Sequence, residues 1–167
     1  MGKEQAVEER FVLAFPALFP KAKRVAYRVV GNAAVAEDVA AEALARAYAH
    51  WERIEALPWM EGWVLRVAAN LALDAARRRR PMLDAPPCLD REDAIATRLA
   101  MVAALTHLPR RQREAIALYY LAGLPAEEVA QVLGLSAGTV KSHLHRGLVA
   151  LRRRLGDSLE EVRLALD

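Results

Sequence analysis

Three prolines fall within Pro81–Asp93, two of them adjacent at Pro86 and Pro87. Proline has no amide donor and disfavours helix in the residue before it, so this segment reads as an extended linker. It splits the 167 residues into two stretches, 1–80 and 94–167, each the size of a small domain. On either side the composition favours helix: alanine and leucine fill 58 positions, whereas isoleucine and threonine take three each. The expected fold is all-α, with two small helical domains joined by a proline-containing acidic linker at 81–93.

The chain carries 24 Lys+Arg against 21 Asp+Glu, a net charge of only +3, and twenty of the cations are arginine. Arginine is the side chain that forks onto phosphates and carboxylates. Each helical stretch is +3 and the linker −3, so two mildly basic modules flank an acidic tether. A bulk polycation is excluded, and any nucleic-acid binding must come from how the charge is distributed. The lone Cys88 excludes a disulfide framework or a cysteine zinc site and suits a reducing compartment. Met1–Arg10 is charged and has no signal-peptide character, and Ala6 stands where a myristoylation motif needs Ser or Thr. No stretch approaches the roughly 18 apolar residues of a membrane span. A soluble, cytoplasmic protein without membrane insertion is expected.

Three helical stretches are legible in the first module. In Phe15–Val30 the residues Leu18, Val25 and Val29 share a face, and Gly31-Asn32 stops the helix. Ala33–Trp51 places Val35, Val39, Ala43, Ala47 and Trp51 on one stripe and Asp38, Glu42 and Arg46 on another, at i, i+4 spacing. Pro58 opens a third helix with the apolar row Met60, Trp63, Val64, Val67 and Leu71. Its opposite row is Arg66, Asn70, Asp74 and Arg77 or Arg78, and it runs out in Arg77-Arg78-Arg79-Arg80 before Pro81. That basic end either grips phosphates or simply complements the helix dipole.

The second module carries the most specific pattern. A helix begins near Asp93, another spans Arg110–Leu121 and ends at Gly123, and Pro125–Leu133, Gly134-Leu135-Ser136 and a long helix to Leu155 follow. The last three have the form of a helix-turn-helix: Val129, Ala130 and Leu133 pack inward, Gly134 makes the tight turn, Leu135 plugs the gap and Ser136 caps the second helix. Val140, Leu144, Leu148, Leu151 and Leu155 form that helix's apolar stripe. The opposite face offers Gly138, Thr139, Lys141, Ser142, His145 and Arg146. A major-groove reader needs this arrangement, with N-terminal residues at base edges and cations at flanking phosphates. Gly147 falls mid-helix, where glycine costs about 1 kcal/mol relative to alanine.

Catalytic and metal-binding signatures are missing from the sequence. His143 and His145 are two apart, on different sides of a helix and without a carboxylate or cysteine at ligand spacing. Asp38 and Glu42 are a helical turn apart, but paired acids with no pocket are usually a solvated or partner-binding face. No phosphate-binding Gly loop, nucleophile elbow or His-Glu-x-x-His occurs. No enzyme activity, metal or cofactor is expected.

Ala36-Glu-Asp-Val-Ala-Ala-Glu-Ala-Leu-Ala-Arg-Ala-Tyr48, with Gly62-Trp-Val-Leu-Arg through Arg80, resembles region 2 of bacterial RNA polymerase sigma factors. Leu105-Thr-His-Leu-Pro-Arg-Arg-Gln-Arg-Glu through Tyr120, with the helix-turn-helix, is similar to their region 4. Both blocks in this order, with no domain between them, resemble the compact extracytoplasmic-function type. The resemblance implies a transcription initiation factor that binds core RNA polymerase and directs it to promoter DNA. It implies that Asp38, Glu42 and Arg46 meet the polymerase, with Leu44 or Tyr48 beside them. Trp59, Arg66, Asn70, Asp74, Arg77, Arg78, Arg79 and Arg80 would serve the minus-ten element. Trp63 also matches there, but its place on the apolar stripe reads as core, leaving Trp59 the freer aromatic. Gly138, Thr139, Lys141, Ser142, His145 and Arg146 would read the minus-thirty-five element. Many family members are also held by an anti-sigma factor, a third class of partner.

Overall fold

A computed structural model describes residues 2–78 and 89–156, and those residues form eight α-helices and one π-helical turn with no strand among them. The helices of module one are α1 (Lys3–Val30), α2 (Ala33–Ala49), α3 (Trp51–Ile54) and α4 (Met60–Arg78). Module two contains α5 (Leu89–Thr106), α6 (Arg110–Ile116), the π-helical turn Ala117–Leu121, α7 (Ala126–Leu133) and α8 (Ala137–Leu155). Pro81–Cys88 of the expected linker, Arg79, Arg80 and the C-terminal residues 157–167 lie outside the described residues. Helix α5 begins at Leu89, inside the stretch assigned to the linker.

Helix α1 begins at Lys3 rather than Phe15 and runs through Pro16 and Pro20. Each proline removes one i→i−4 hydrogen bond and frees a carbonyl four residues back, at Val12 and Pro16. Both prolines and Val12 are exposed, so water can satisfy those carbonyls and the helix continues. Gly31 ends it in the left-handed region at φ 64°, its amide donating to the Tyr27 carbonyl. Asn32 then caps α2 by accepting from the Val35 amide at 3.0 Å.

Module one packs α1, α2 and α4 around Leu18, Ala22, Ala43, Leu44, Ala47, Trp51, Val64 and Ala68. The alanines let the helix axes approach closely, and Phe11 closes one end edge-on to Trp51 at 5.1 Å. Trp63 leans on this cluster, as its apolar stripe predicts.

A second apolar cluster does not respect the module boundary. Val25, Val29, Leu65, Ala69 and Leu73 of module one join Leu105, Leu118, Leu121, Leu124, Val129, Val132 and Val140 of module two in one buried group. The two modules therefore pack directly on each other. The expected helix 110–121 widens over its last turn into the π form, where the Ala122 amide donates to the Ala117 carbonyl at 3.0 Å. In that turn the Leu121 carbonyl accepts from Arg28 of α1 at 2.8 Å, tying the turn to module one.

Gly147 has a packing reason. A methyl group there would press on the Ile116 side chain, so the glycine lets α8 lie close against α6. The contact offsets its unfavourable helix propensity.

Candidate nucleic-acid interface

The helix-turn-helix forms as its residues dictate. Gly134 adopts φ 65°, ψ 41°, a conformation that strains any residue with a Cβ, and its amide returns to the Ala130 and Gln131 carbonyls. Leu135 follows, half-buried against the shared core. Ser136 Oγ accepts from the Thr139 amide at 3.1 Å, capping α8. Pro125 opens α7 without a side-chain cap, and Glu127 and Glu128 in the first turn complement its positive end instead. Losing the cap through Ser136→Ala should cost about 1 kcal/mol of stability. Thermal unfolding checks this; an unchanged midpoint would mean the cap does not hold the reading helix.

Val140, Leu144 and Leu151 of the predicted stripe are buried, and Leu148 and Leu155 are half-buried. The opposite face leaves Gly138, Thr139, Lys141, Ser142, His145 and Arg146 all exposed. Two of these hydroxyls are already engaged: Thr139 Oγ1 lies 2.8 Å from Ser136 Oγ, and Ser142 Oγ donates to the Gly138 carbonyl at 3.1 Å. Thr139 thus serves the helix start. Lys141, His145 and Arg146 stand outward, with exposed Arg152, Arg153 and Arg154 further along. The arrangement is an uncovered helix with cations at both ends of its outer face, the shape and charge a DNA groove accepts.

Helix α2 presents Asp38, Glu42 and Arg46 on an exposed face, with Arg46 Nε donating to Glu42 at 2.8 Å. A shallow groove of about 360 Å³ runs beside them, lined by Val35, Val39, Leu71 and Ala75 and edged by Asp38, Glu42, Asp74 and Arg78. Its apolar floor was not anticipated from sequence. The signal was available, because Val35 and Val39 lie on the apolar stripe of α2 and Leu71 on that of α4.

The row on α4 is treated differently. Asn70 and Asp74 are half-buried, Arg77 and Arg78 are exposed, and Arg77 pairs with Asp74 at 3.3 Å. Arg66 points into module two, donating to Glu114 Oε1 at 2.8 Å and 3.2 Å and to the Val132 carbonyl at 3.4 Å. Trp59 is half-buried against the shared core, so it is no freer than Trp63. The two indoles instead line one cavity of about 290 Å³ with His50, Arg53, Ile54 and Leu57. Indoles beside a cation suit a single unstacked base.

Glu114 is only 2 % exposed and sits among three guanidiniums, with Arg110 at 3.2 Å and Arg111 at 3.5 Å in addition to Arg66. Burial opposes its ionisation most strongly, but the bonds from Arg66 and Arg110 outweigh that and hold the carboxyl below the ordinary glutamate range. A lowered folded-state value means that its stabilising contribution is complete above the ordinary carboxylate value. That contribution is lost as pH falls through the folded value. The stability gap between wild type and Glu114→Gln should therefore be widest near neutrality and narrow in acid, as denaturant titrations across pH would read. A gap independent of pH would contradict the pairing.

Among the described residues no three His, Cys, Asp or Glu side chains come together in a way that could hold a metal ion, and no helix is long and apolar enough to cross a membrane.

Comparison with known proteins agrees with this layout. The family model for sigma-70 region 2 matches residues 15–81, and that for sigma-70, region 4 matches residues 98–151. The chain is 31 % identical over 157 residues to the ECF RNA polymerase sigma factor SigW of Bacillus subtilis, covering 82 % of this chain and 84 % of the relative. It is 36 % identical over 138 residues to the RNA polymerase sigma-E factor of Streptomyces coelicolor, covering 79 % and 78 %. Among solved structures the fold is similar to CnrH in complex with the cytosolic domain of CnrY, with a TM-score of 0.59, 24 % identity and coverage of 90 % and 92 %. The sigma factor RpoE in complex with the anti-sigma factor NepR from Bartonella quintana gives 0.55 at 21 % identity, covering 89 % and 98 %.

Proposed function

We propose, for a chain that belongs to the extracytoplasmic-function RNA polymerase sigma factors, that three separate surfaces divide the work of directing the polymerase to promoters. The outer face of α8 reads the minus-thirty-five element: Lys141, His145 and Arg146 make the contacts, Gly138 admits the DNA backbone, and Thr139 and Ser142 hold the helix start. The acidic face of α2, with Asp38, Glu42 and Arg46 beside the Leu71 groove, docks on core RNA polymerase. Arg66, Asn70, Asp74, Arg77 and Arg78, continuing into Arg79 and Arg80, track the minus-ten strand. The Trp59–Trp63 cavity receives an unstacked base of that strand.

The observation that carries this reading is the α8 face. All six residues are exposed on the side opposite a buried stripe, within the stretch matched by sigma-70, region 4. The chemistry of RNA synthesis and its metal belong to the polymerase, and this chain works where the polymerase works, in the cytoplasm. RpoE of Bartonella quintana is in complex with an anti-sigma factor. A protein of that class, covering the same surfaces, is the inhibitor we assign here.

Two mildly basic faces on a nearly neutral chain bind free DNA weakly, and useful affinity arises when the polymerase holds both on one duplex. Size-exclusion of the chain with bacterial core polymerase tests the reading. Co-elution, with weak duplex binding by the chain alone, is expected. Failure to co-elute combined with tight operator binding would identify a free-standing regulator instead.

A further inference from the structure

The first turns of α1, residues 3–14, precede the stretch matched by the region 2 model, yet they are built onto module one. Val7, Phe11 and Ala14 pack on its core, and Phe11 meets Tyr48 at 5.0 Å as well as Trp51. Next to Phe11 in the chain, the Arg10 guanidinium forks onto Glu55, Nε donating to Oε2 at 2.7 Å and Nη2 to Oε1 at 3.0 Å. Lys21, 11 residues further on, donates to Glu61 at 2.6 Å. That separation is close to three whole turns of helix, so Arg10 and Lys21 leave α1 on the same side, about 16 Å apart.

That side of α1 faces the loop 55–59, which joins α3 to α4. Glu55 stands at the start of the loop and Glu61 just beyond its end. Its backbone is held by single turns, the Leu57 amide donating to the Ile54 carbonyl at 2.9 Å and the Met60 amide to the Leu57 carbonyl at 3.0 Å. Isolated turns of this kind belong to the low-stability end of a fold. The same stretch brings Ile54, Leu57 and Trp59 to the cavity that they share with His50 and Trp63. The path of the loop therefore sets the spacing of the two indoles, and two ion pairs to one helix fix that path at both ends.

Both pairs face solvent: the side chains of Arg10 and Glu55 are 48 % and 23 % exposed, and those of Lys21 and Glu61 41 % each. Exposed pairs add little to global stability, whereas a bidentate fork adds geometric specificity. The bonds from Arg10 also hold the Glu55 carboxyl below the ordinary glutamate range, against the opposing effect of burial, so the fork stays charged at neutrality. Its consequence is positional.

We propose that the early turns of α1 brace the Trp59–Trp63 cavity, with Arg10 and Lys21 as positioning residues that set its shape through Glu55 and Glu61. Neither cation touches DNA in this role. The inference rests on the reading of that cavity as the pocket for an unstacked minus-ten base.

Arg10→Glu replaces the fork with a repulsion, and adding Glu55→Arg restores an opposite-charge pair with its polarity reversed. All three tryptophans of the chain, Trp51, Trp59 and Trp63, lie in or beside the stretch from α3 to α4. Acrylamide quenching of their fluorescence in the full chain therefore reads the loop directly. Arg10→Glu is expected to raise quenching while helicity and the unfolding midpoint stay near wild type, and the swapped double variant to bring quenching back. The second readout uses the holoenzyme at a promoter mapped with the wild-type chain, with each of the four bases placed in turn at the minus-ten positions. Arg10→Glu should reduce the strongest base preference there by about tenfold, since a displacement of about 1 Å in a positioned site can cost up to about a hundredfold. Preferences at minus thirty-five and affinity for core polymerase should not change. If Arg10→Glu lowers the unfolding midpoint, Arg10→Gln carries both readouts.

Unchanged quenching in Arg10→Glu would overturn the proposal, as would intact minus-ten preferences in a chain whose loop has loosened. Equal losses at both elements, or a swap that restores neither readout, would overturn it as well. Quenching that follows the expected pattern, in a chain that yields no promoter with core polymerase, would uphold the brace and overturn the assignment of the cavity to the minus-ten base.

Discussion

Replacing Lys141 and Arg146 together with alanine should reduce promoter-dependent transcription by about a hundredfold while leaving polymerase binding unchanged. Each lost groove contact of this kind typically costs about 1–3 kcal/mol, so two at about 1.4 kcal/mol each reach that figure. Both side chains are exposed on α8, and the stripe behind them, Val140, Leu144 and Leu151, is untouched. Stability should therefore stay within the roughly 0.5 kcal/mol normal for surface changes. Run-off transcription read beside co-elution separates the two outcomes. Unchanged promoter use by the double variant would rule out this face as the reader.

Reversing charge on α2, with Asp38→Arg plus Glu42→Arg, should produce the complementary failure. Like charges brought together across an interface cost several kcal/mol, so affinity for core polymerase should fall at least about a hundredfold. Both acids are exposed, and the bond from Arg46 to Glu42 joins two solvated side chains, so folding should barely change. Anisotropy of the labelled chain titrated with core polymerase measures the loss. Affinity close to wild type would remove α2 from the docking surface. The first variant disables promoter choice and the second disables assembly, which a single multipurpose surface would not allow.

The helix-turn-helix was readable from sequence because its determinants are local. Gly134 must take a left-handed turn, Ser136 must cap, and a 3.6-residue period decides which side of α8 faces water. Gly31-Asn32 was readable as a stop for the same reason, and the structure adds that Asn32 caps the next helix. The full length of α1 was not: Pro16 argues against helix in the residues before it, and only tertiary placement shows that Val12 and Pro16, whose carbonyls lose their partners, are exposed. The π-helical turn escaped for a related reason, since its Leu121 carbonyl is tied to Arg28, 93 residues earlier in the chain.

What lay beyond sequence at the candidate site was partnership. Periodicity says that Val25 and Val29 are buried, not that part of what buries them is the other module. The apolar row read on α4 did not include Leu65 and Leu73, which the structure buries with them. Arg66 was legible as a polar-row cation, but nothing local couples it to Glu114. Two signals were present in hindsight. Glu114 follows Arg110 by one helical turn, and Gly62 interrupts a strong helix; glycine in such a place usually marks a close approach. Gly147 carried the same message for α6 and α8, where it read only as a weak point in the helix.

The central claim, that this chain directs core polymerase to particular promoters, is met most directly by reconstituted transcription. Core RNA polymerase, with and without the purified chain, would transcribe genomic fragments, and the 5′ ends of the transcripts would be mapped. Discrete start sites that appear only with the chain, and share sequence upstream near minus ten and minus thirty-five, are the predicted result. Identical transcripts in both reactions, from a chain that nonetheless binds duplex DNA tightly by itself, would contradict it.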